Sequence, residues 1–171
     1  MTEEIQPRVA IVMGSDSDWD VMKAAEEVLN ELGVTCDVRV ISAHRSHHLL
    51  VSHLERLHAS GVQVFIAGAG GAAHLAGVVA ALTPLPVIGV PLKSWALDGM
   101  DALLSTVQMP PGVPVATVAI NGARNAGILA AQMLSLTDPQ LKSRMQEFRK
   151  GLVESVQKKN DHVQKRRGDS E

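Results

Sequence analysis

The feature that most constrains this chain is a repeated pairing of a short apolar run with a longer helical pattern. The first run, Val9–Met13, is continuous rather than alternating, which is typical of a parallel strand covered on both faces. Apolar residues then recur at helical spacing over residues 21–32, and Gly33 is placed to end that helix. Further strands are predicted at 35–41, 62–67, 86–90 and 115–120. Alternating strands and helices with short connections predict a parallel, doubly wound α/β sheet.

The length and the order of the elements define the expected architecture. A chain of 171 residues can bury the core of one domain. Further helices are predicted at 46–60, from the glycine-rich segment to about Leu82, at 101–108 and at 122–136. A last helix follows Asp138 and Pro139, which suit its cap and first turn. We expect a single-domain, three-layer α/β/α fold with a parallel, flavodoxin-like sheet of about five strands and a C-terminal helix. Its parts are an N-terminal segment (1–7), the α/β domain (8–157) and a charged, disordered tail (158–171).

Charge and composition argue against nucleic-acid and membrane partners. The chain carries 16 Lys and Arg against 18 Asp and Glu, so its formal net charge is only −2 and favours no polyanionic partner. Two Phe, two Trp and no Tyr provide few aromatic faces on which bases could stack. No run reaches the roughly 18 apolar residues that span a bilayer, and residues 1–8 contain no hydrophobic signal core. We therefore expect a soluble, cytoplasmic protein.

Polar residues follow the first predicted strand in the segment 14–18, Gly-Ser-Asp-Ser-Asp. The backbone amides of a helix start, beside the hydroxyls of Ser15 and Ser17, can hold an anion such as phosphate. Asp18 could accept a hydrogen bond from a ribose hydroxyl. An ordinary helix cap explains the same residues equally well, because Ser and Asp are preferred cap residues. The segment matches neither a Walker A loop nor the dinucleotide fingerprint.

The second predicted strand ends in Ser42, Ala43, His44 and Arg45. The planar guanidinium of Arg45 matches the geometry of phosphate, and the imidazole of His44 could move a proton. Four further histidines follow on the next helix: His47, His48, His53 and His58. Their spacing resembles a metal motif only weakly, and no Glu or Cys accompanies it, so we predict no metal site.

A glycine-rich segment, residues 68–77, follows the third predicted strand. Glycines let a ligand approach the backbone amides, and small residues leave space for a compact group. Close packing of a helix on a strand would also require Gly and Ala. The imidazole of His74 favours a functional role, because its Gly and Ala neighbours provide few polar partners.

Six segments resemble the catalytic-subunit family of phosphoribosylaminoimidazole carboxylase, which includes the N5-carboxyaminoimidazole ribonucleotide mutases. They span nearly all of residues 8–136 in the order found in the family. The segments are MGSDSDW (13–19), SAHR (42–45), AGAGGAAHL (67–75), LPVIGVP (85–91), LSTVQMP (104–110) and GVPVAT (112–117). Several coinciding motifs make the resemblance specific.

The resemblance implies a homo-octamer that acts in purine (IMP) synthesis on a small ribonucleotide, with no metal or organic cofactor. It implies that the ribose phosphate is bound by Ser15, Ser17, Asp18, Ser42 and Arg45. It also implies that His44 transfers the proton. The resemblance further implies that Gly70, Gly71, Ala72, His74 and Leu75 surround the migrating carboxylate.

Two branches of this family differ in their chemistry. Ser-Ala-His-Arg together with Gly-Gly-Ala-Ala-His resembles the mutase branch, in which the carboxyl group moves from N5 to C4 of aminoimidazole ribonucleotide. Ser46-His47 and Ala76 replace residues usual in that branch, and the short loop 121–124 resembles the branch that carboxylates the ribonucleotide directly with CO2. Direct carboxylation is therefore the alternative enzyme. A non-catalytic nucleotide-binding module is compatible with the fold alone.

Overall fold

The five predicted strands form one parallel sheet in a computed structural model that describes residues 6–168. The strands are β1 (Val9–Met13), β2 (Cys36–Val40), β3 (Val64–Gly70), β4 (Val87–Leu92) and β5 (Ala116–Thr117). Their order is β2-β1-β3-β4-β5, and every neighbouring pair is parallel. The chain order changes direction between β1 and β3, and open α/β sheets bind their ligands outside the carboxyl ends of the strands at such a point. The predicted flavodoxin-like α/β class is confirmed.

Helices cover both faces of the sheet. Within residues 6–168 they are α1 (Trp19–Glu31), α2 (His47–Ala59), α3 (Leu75–Leu82), α4 (Met100–Val107), α5 (Ala123–Leu134) and α6 (Pro139–Gly168). Successive residues of β1 alternate between two cores. Ile11 packs in the core beneath α1 and α5, whereas Ala10 and Val12 pack in the core beneath α2 and α3. The central strands are therefore buried on both sides, which explains their continuous apolar runs.

Glycines allow two close approaches on the α1 face. A Cβ atom on Gly127 of α5 would lie 2.5 Å from Val28 Cγ1 and 2.8 Å from the backbone oxygen of Ala25, both on α1. A Cβ atom on Gly68 of β3 would lie 2.4 Å from the sulfur of Met22. The structure thus supports the packing interpretation for Gly68. Gly33 has the left-handed backbone (φ +67°) predicted for the residue that ends α1.

Several predicted strand ends differ from the structure. β3 extends to Gly70 rather than residue 67, and β4 to Leu92 rather than residue 90, because the two strands remain paired as far as Gly70 and Leu92. β5 was predicted over 115–120 but pairs with β4 only at Ala116 and Thr117. The extended pairing of β3 and β4 carries the start of the glycine-rich segment to the edge of the sheet.

The C-terminal region is more ordered than the sequence predicts. Residues 158–168, expected to be disordered, form the last part of the helix α6. Lys, Gln and Arg are good helix formers, and a helix nucleated by the buried Leu141 and Met145 can extend into solvent. Residues 1–5 and 169–171, which complete the two predicted terminal segments, lie outside the described residues. Across residues 6–168, every helix is too short or too polar to cross a bilayer.

Candidate active site

The carboxyl ends of β1 to β4 surround one cavity of about 610 Å³, a size suited to a small molecule. Ten of the predicted site residues line it: Ser15, Ser17, Asp18, Ser42, His44, Arg45, Gly70, Ala72, His74 and Leu75. The eleventh, Gly71, lies in the same loop next to the lining residue Trp95 but is not itself part of the lining. Parallel topology therefore brings together segments that are far apart in the sequence.

The turn after β1 is both a helix cap and a wall of the cavity. The Asp18 carboxylate accepts a hydrogen bond from the backbone N–H of Ser15 at 3.0 Å. The hydroxyl of Ser17 donates to the hydroxyl oxygen of Ser15 at 3.0 Å. Burial raises the pKa of Asp18, and the backbone hydrogen bonds at Ser15 and Gly14 oppose that rise. The cap thus holds two hydroxyls and a half-buried carboxyl group at the cavity.

Arg45 connects the ends of β1 and β2. Its Nη2 donates to the backbone oxygen of Gly14 at 2.9 Å, and its Nε donates to the Ser42 hydroxyl oxygen at 3.4 Å. The same hydroxyl oxygen accepts the Arg45 backbone N–H at 3.2 Å. Within residues 6–168 these contacts use two of the five guanidinium N–H groups. The group is therefore fixed in position with donors left for an anionic ligand.

The two predicted catalytic imidazoles contact each other. Nδ1 of His74 lies 3.0 Å from Nε2 of His44, with ring centroids 5.0 Å apart and ring planes at 81°. His44 lies in the turn after β2, and His74 immediately precedes α3. The backbone of Ala73 is left-handed (φ +42°) and turns His74 toward the cavity wall. Because each imidazole can donate or accept, the pair can hold and transfer a proton.

Two of the four histidines of α2, His53 and His58, belong to the scaffold. Nε2 of the buried His53 lies 3.0 Å from the Asp37 carboxylate, and Nε2 of His58 lies 2.9 Å from the Thr83 hydroxyl. Burial lowers the pKa of His53. In the part of the chain that the structure describes, no three His, Cys, Asp or Glu side chains lie close enough to hold a metal ion.

Sequence reasoning missed the fourth wall of the cavity. Ser94 and Trp95, in the segment after β4, line it together with Gly14 and with Ala residues of the predicted loops. The sequence offered one signal, because Trp95 is one of only two tryptophans and follows a predicted strand. The sequence predicts candidate site residues only after the first three strands, and none after the fourth.

Comparisons with known proteins agree on one family. The AIR carboxylase family profile matches residues 8–155. The N5-carboxyaminoimidazole ribonucleotide mutase of Mycobacterium tuberculosis H37Rv is 53% identical over 163 residues, covering 95% of this chain and 94% of that protein. The chloroplastic phosphoribosylaminoimidazole carboxylase of Vigna aconitifolia is 52% identical over 157 residues, covering 92% of this chain and 28% of that protein.

A solved structure gives the same result for the fold. The crystal structure of Treponema denticola PurE superposes with a TM-score of 0.83 at 27% identity, covering 91% of this chain and 98% of that chain. The similarity extends over most of both chains, so the cavity lies on a shared scaffold.

Proposed function

Because this chain belongs to the AIR carboxylase family, we propose that it is an N5-carboxyaminoimidazole ribonucleotide mutase of purine synthesis. The enzyme converts N5-carboxyaminoimidazole ribonucleotide to 4-carboxy-5-aminoimidazole ribonucleotide. The observation that carries the proposal is the His44–His74 hydrogen bond at a cavity with anion-binding and small residues. Relatives named as mutases, 49–55% identical over most of their length, support it.

The substrate's ribose phosphate binds at the ends of β1 and β2. A shallow depression of about 370 Å³ adjoins the main cavity and shares Ser15, Ser42 and Arg45 with it. The fixed guanidinium of Arg45 binds the phosphate with the two hydroxyls beside it. Asp18 accepts hydrogen bonds from the ribose hydroxyls, and Ser17 assists. The base then extends toward the histidine pair.

The reaction moves one carboxyl group and one proton. Breaking the bond between N5 and the carboxyl carbon releases CO2, and N5 takes up a proton. C4 then attacks CO2, and the proton on C4 must leave. His44 supplies the first proton and accepts the second, while its hydrogen bond to His74 stabilises either ring as the proton moves. The protons and electrons balance, so the proposed steps require no redox cofactor.

The glycine-rich loop holds CO2 between the two steps. Gly70 and Ala72 leave space beside His74 for a small linear molecule, and Leu75 closes the inner side. Retaining CO2 beside C4 makes its recapture effectively intramolecular, and such a step is much faster than capture of CO2 from dilute solution. Backbone amides of the loop stabilise the carboxylate as it forms.

A substrate-choice assay tests the proposal. One cuvette contains the N5-carboxylated ribonucleotide without bicarbonate, and the other contains aminoimidazole ribonucleotide with high bicarbonate. We expect rapid conversion only in the first. Conversion that depends on bicarbonate would instead support direct carboxylation, the activity named for the Vigna relative and consistent with the short loop 121–124. Activity in neither cuvette would contradict both enzyme functions and leave a nucleotide-binding module.

The proposal includes assembly into a homo-octamer. Exposed apolar side chains occur on two helices and the segment before one of them: Leu97, Met100, Leu104, Val107, Leu152, Val156 and Val163. Their exposed area is available for contact with other copies. Light scattering should give eight times the mass of one chain, and a monomer would contradict the assembly. A cytoplasmic location is also proposed, since the substrate is a phosphorylated intermediate, and cell fractionation tests it.

A further inference from the structure

The segment 93–99, between β4 and α4, brings a tryptophan to the proposed active site. Trp95 lines the cavity, and its Cζ2 and Cη2 atoms would lie 3.1 and 3.3 Å from a Cβ atom on Gly71. Ser94 approaches the same loop, since its Cβ would lie 2.9 Å from a Cβ on Gly70. Nevertheless, 89% of Trp95 is exposed to solvent. One edge of the indole is thus seated on the loop, while its large apolar faces are available to cover a ligand.

Contacts at both ends hold this segment in a strained conformation. The backbone N–H of Lys93 donates to Asn121 Oδ1 at 2.9 Å, and Lys93 Nζ lies 2.6 Å from the Asp98 carboxylate. Leu97 and Asp98 have φ values of +49° and +51°, and Gly99 follows at +89°. A bulky residue such as Leu rarely adopts this left-handed backbone. Strain of this kind persists where the surroundings impose it, and it clusters at ligand clamps.

We propose that the indole of Trp95 contacts and covers the imidazole base of the substrate and keeps released CO2 from bulk water. The inference rests on the proposed mutase function, because only a reaction that releases and recaptures CO2 requires this enclosure. The indole lies against Gly71, in the loop proposed to surround the migrating carboxyl group. A bound base and the indole bury each other's apolar faces, and the outer opening of the cavity closes.

Isotope exchange during turnover measures the enclosure. Wild-type enzyme converts unlabelled N5-carboxyaminoimidazole ribonucleotide in buffer that contains 13C-bicarbonate, and mass spectrometry determines the 13C content of the product. We expect little label from wild type and a several-fold higher labelled fraction from Trp95→Ala, because escaped CO2 is replaced from solution. Trp95→Phe should restore most of the retention. Leu49→Ala removes an exposed apolar side chain of α2 outside the cavity lining and should behave as wild type.

A fluorescence titration tests the covering directly. Trp19→Phe leaves Trp95 as the only indole in the chain. Addition of the product nucleotide, 4-carboxy-5-aminoimidazole ribonucleotide, should shift its emission to shorter wavelength. Equal labelled fractions in wild type and Trp95→Ala with normal turnover, or an unchanged emission at saturating nucleotide, would overturn this inference and leave the mutase function standing. A wild-type enzyme with no mutase turnover would overturn the proposed function, and the CO2-retaining role with it.

Discussion

Arg45 connects the ends of β1 and β2, and replacing it tests the proposed phosphate site. Arg45→Ala removes the cation that binds the phosphate. One charge-assisted hydrogen bond contributes about 1.5–3 kcal/mol, which corresponds to roughly a 10- to 150-fold loss of affinity. Arg45→Lys keeps the charge but loses the planar fork, so we expect a smaller loss.

A comparison of two ligands separates phosphate binding from support of the turn. Calorimetry measures the dissociation constants of the product nucleotide and of the nucleoside that lacks its phosphate. Arg45→Ala should weaken binding of the nucleotide and change binding of the nucleoside little. Arg39→Ala, which removes an exposed arginine of β2 outside the cavity lining, is the matched control and should bind both ligands as wild type does.

Two results would refute this reasoning. An equal loss for the nucleotide and the nucleoside would mean that Arg45 acts only by bonding the Gly14 backbone oxygen and holding the turn. An unchanged nucleotide affinity would place the phosphate elsewhere in the cavity.

Two further predictions concern stability. Gly127→Ala should destabilise the fold by about 1–3 kcal/mol, because the new Cβ meets the α1 backbone. Gly151→Ala, which has open space around it, should instead stabilise α6 by up to about 1 kcal/mol. Urea unfolding measures both changes, and the opposite order of stabilities would contradict the packing. A hydrogen bond from the Leu141 backbone N–H is the main cause that lowers the pKa of Asp138, and the hydrogen bond from the Arg8 guanidinium lowers that pKa further. Asp138→Asn should therefore melt below wild type at neutral pH, and the difference should vanish as the pH falls through that lowered pKa. A difference independent of pH would exclude the charge as its cause.

Much of the fold could be predicted because the central strands are buried on both faces. The predicted bounds of Val9–Met13 agree with the structure, since a continuous apolar run between polar residues shows where a buried strand begins and ends. The exposed end of α6 could not be predicted, because Lys and Arg are compatible with both a solvated helix and a disordered tail. The short β5 depends on pairing with β4, which no local pattern records.

The site could be predicted in outline but not in its contacts. Parallel topology places His44 and His74 at one edge of the sheet, but neither their 3.0 Å separation nor the left-handed backbone of Ala73 beside His74 follows from a local pattern. Trp95 was missed for a similar reason. It lies in a segment whose backbone is left-handed at Leu97 and Asp98, two positions where no glycine marks the unusual conformation.

The most direct test of the proton-shuttle mechanism is the comparison of binding and turnover in His44→Asn. Proton transfer by a positioned group contributes roughly 10²- to 10⁴-fold to rate, so turnover of the N5-carboxylated ribonucleotide should fall by that factor. Affinity for the product nucleotide should change little, because the phosphate site is formed by other residues. His48→Asn, an exposed histidine of α2, should keep wild-type turnover. A His44→Asn enzyme that binds and turns over its substrate as wild type does would contradict the mechanism.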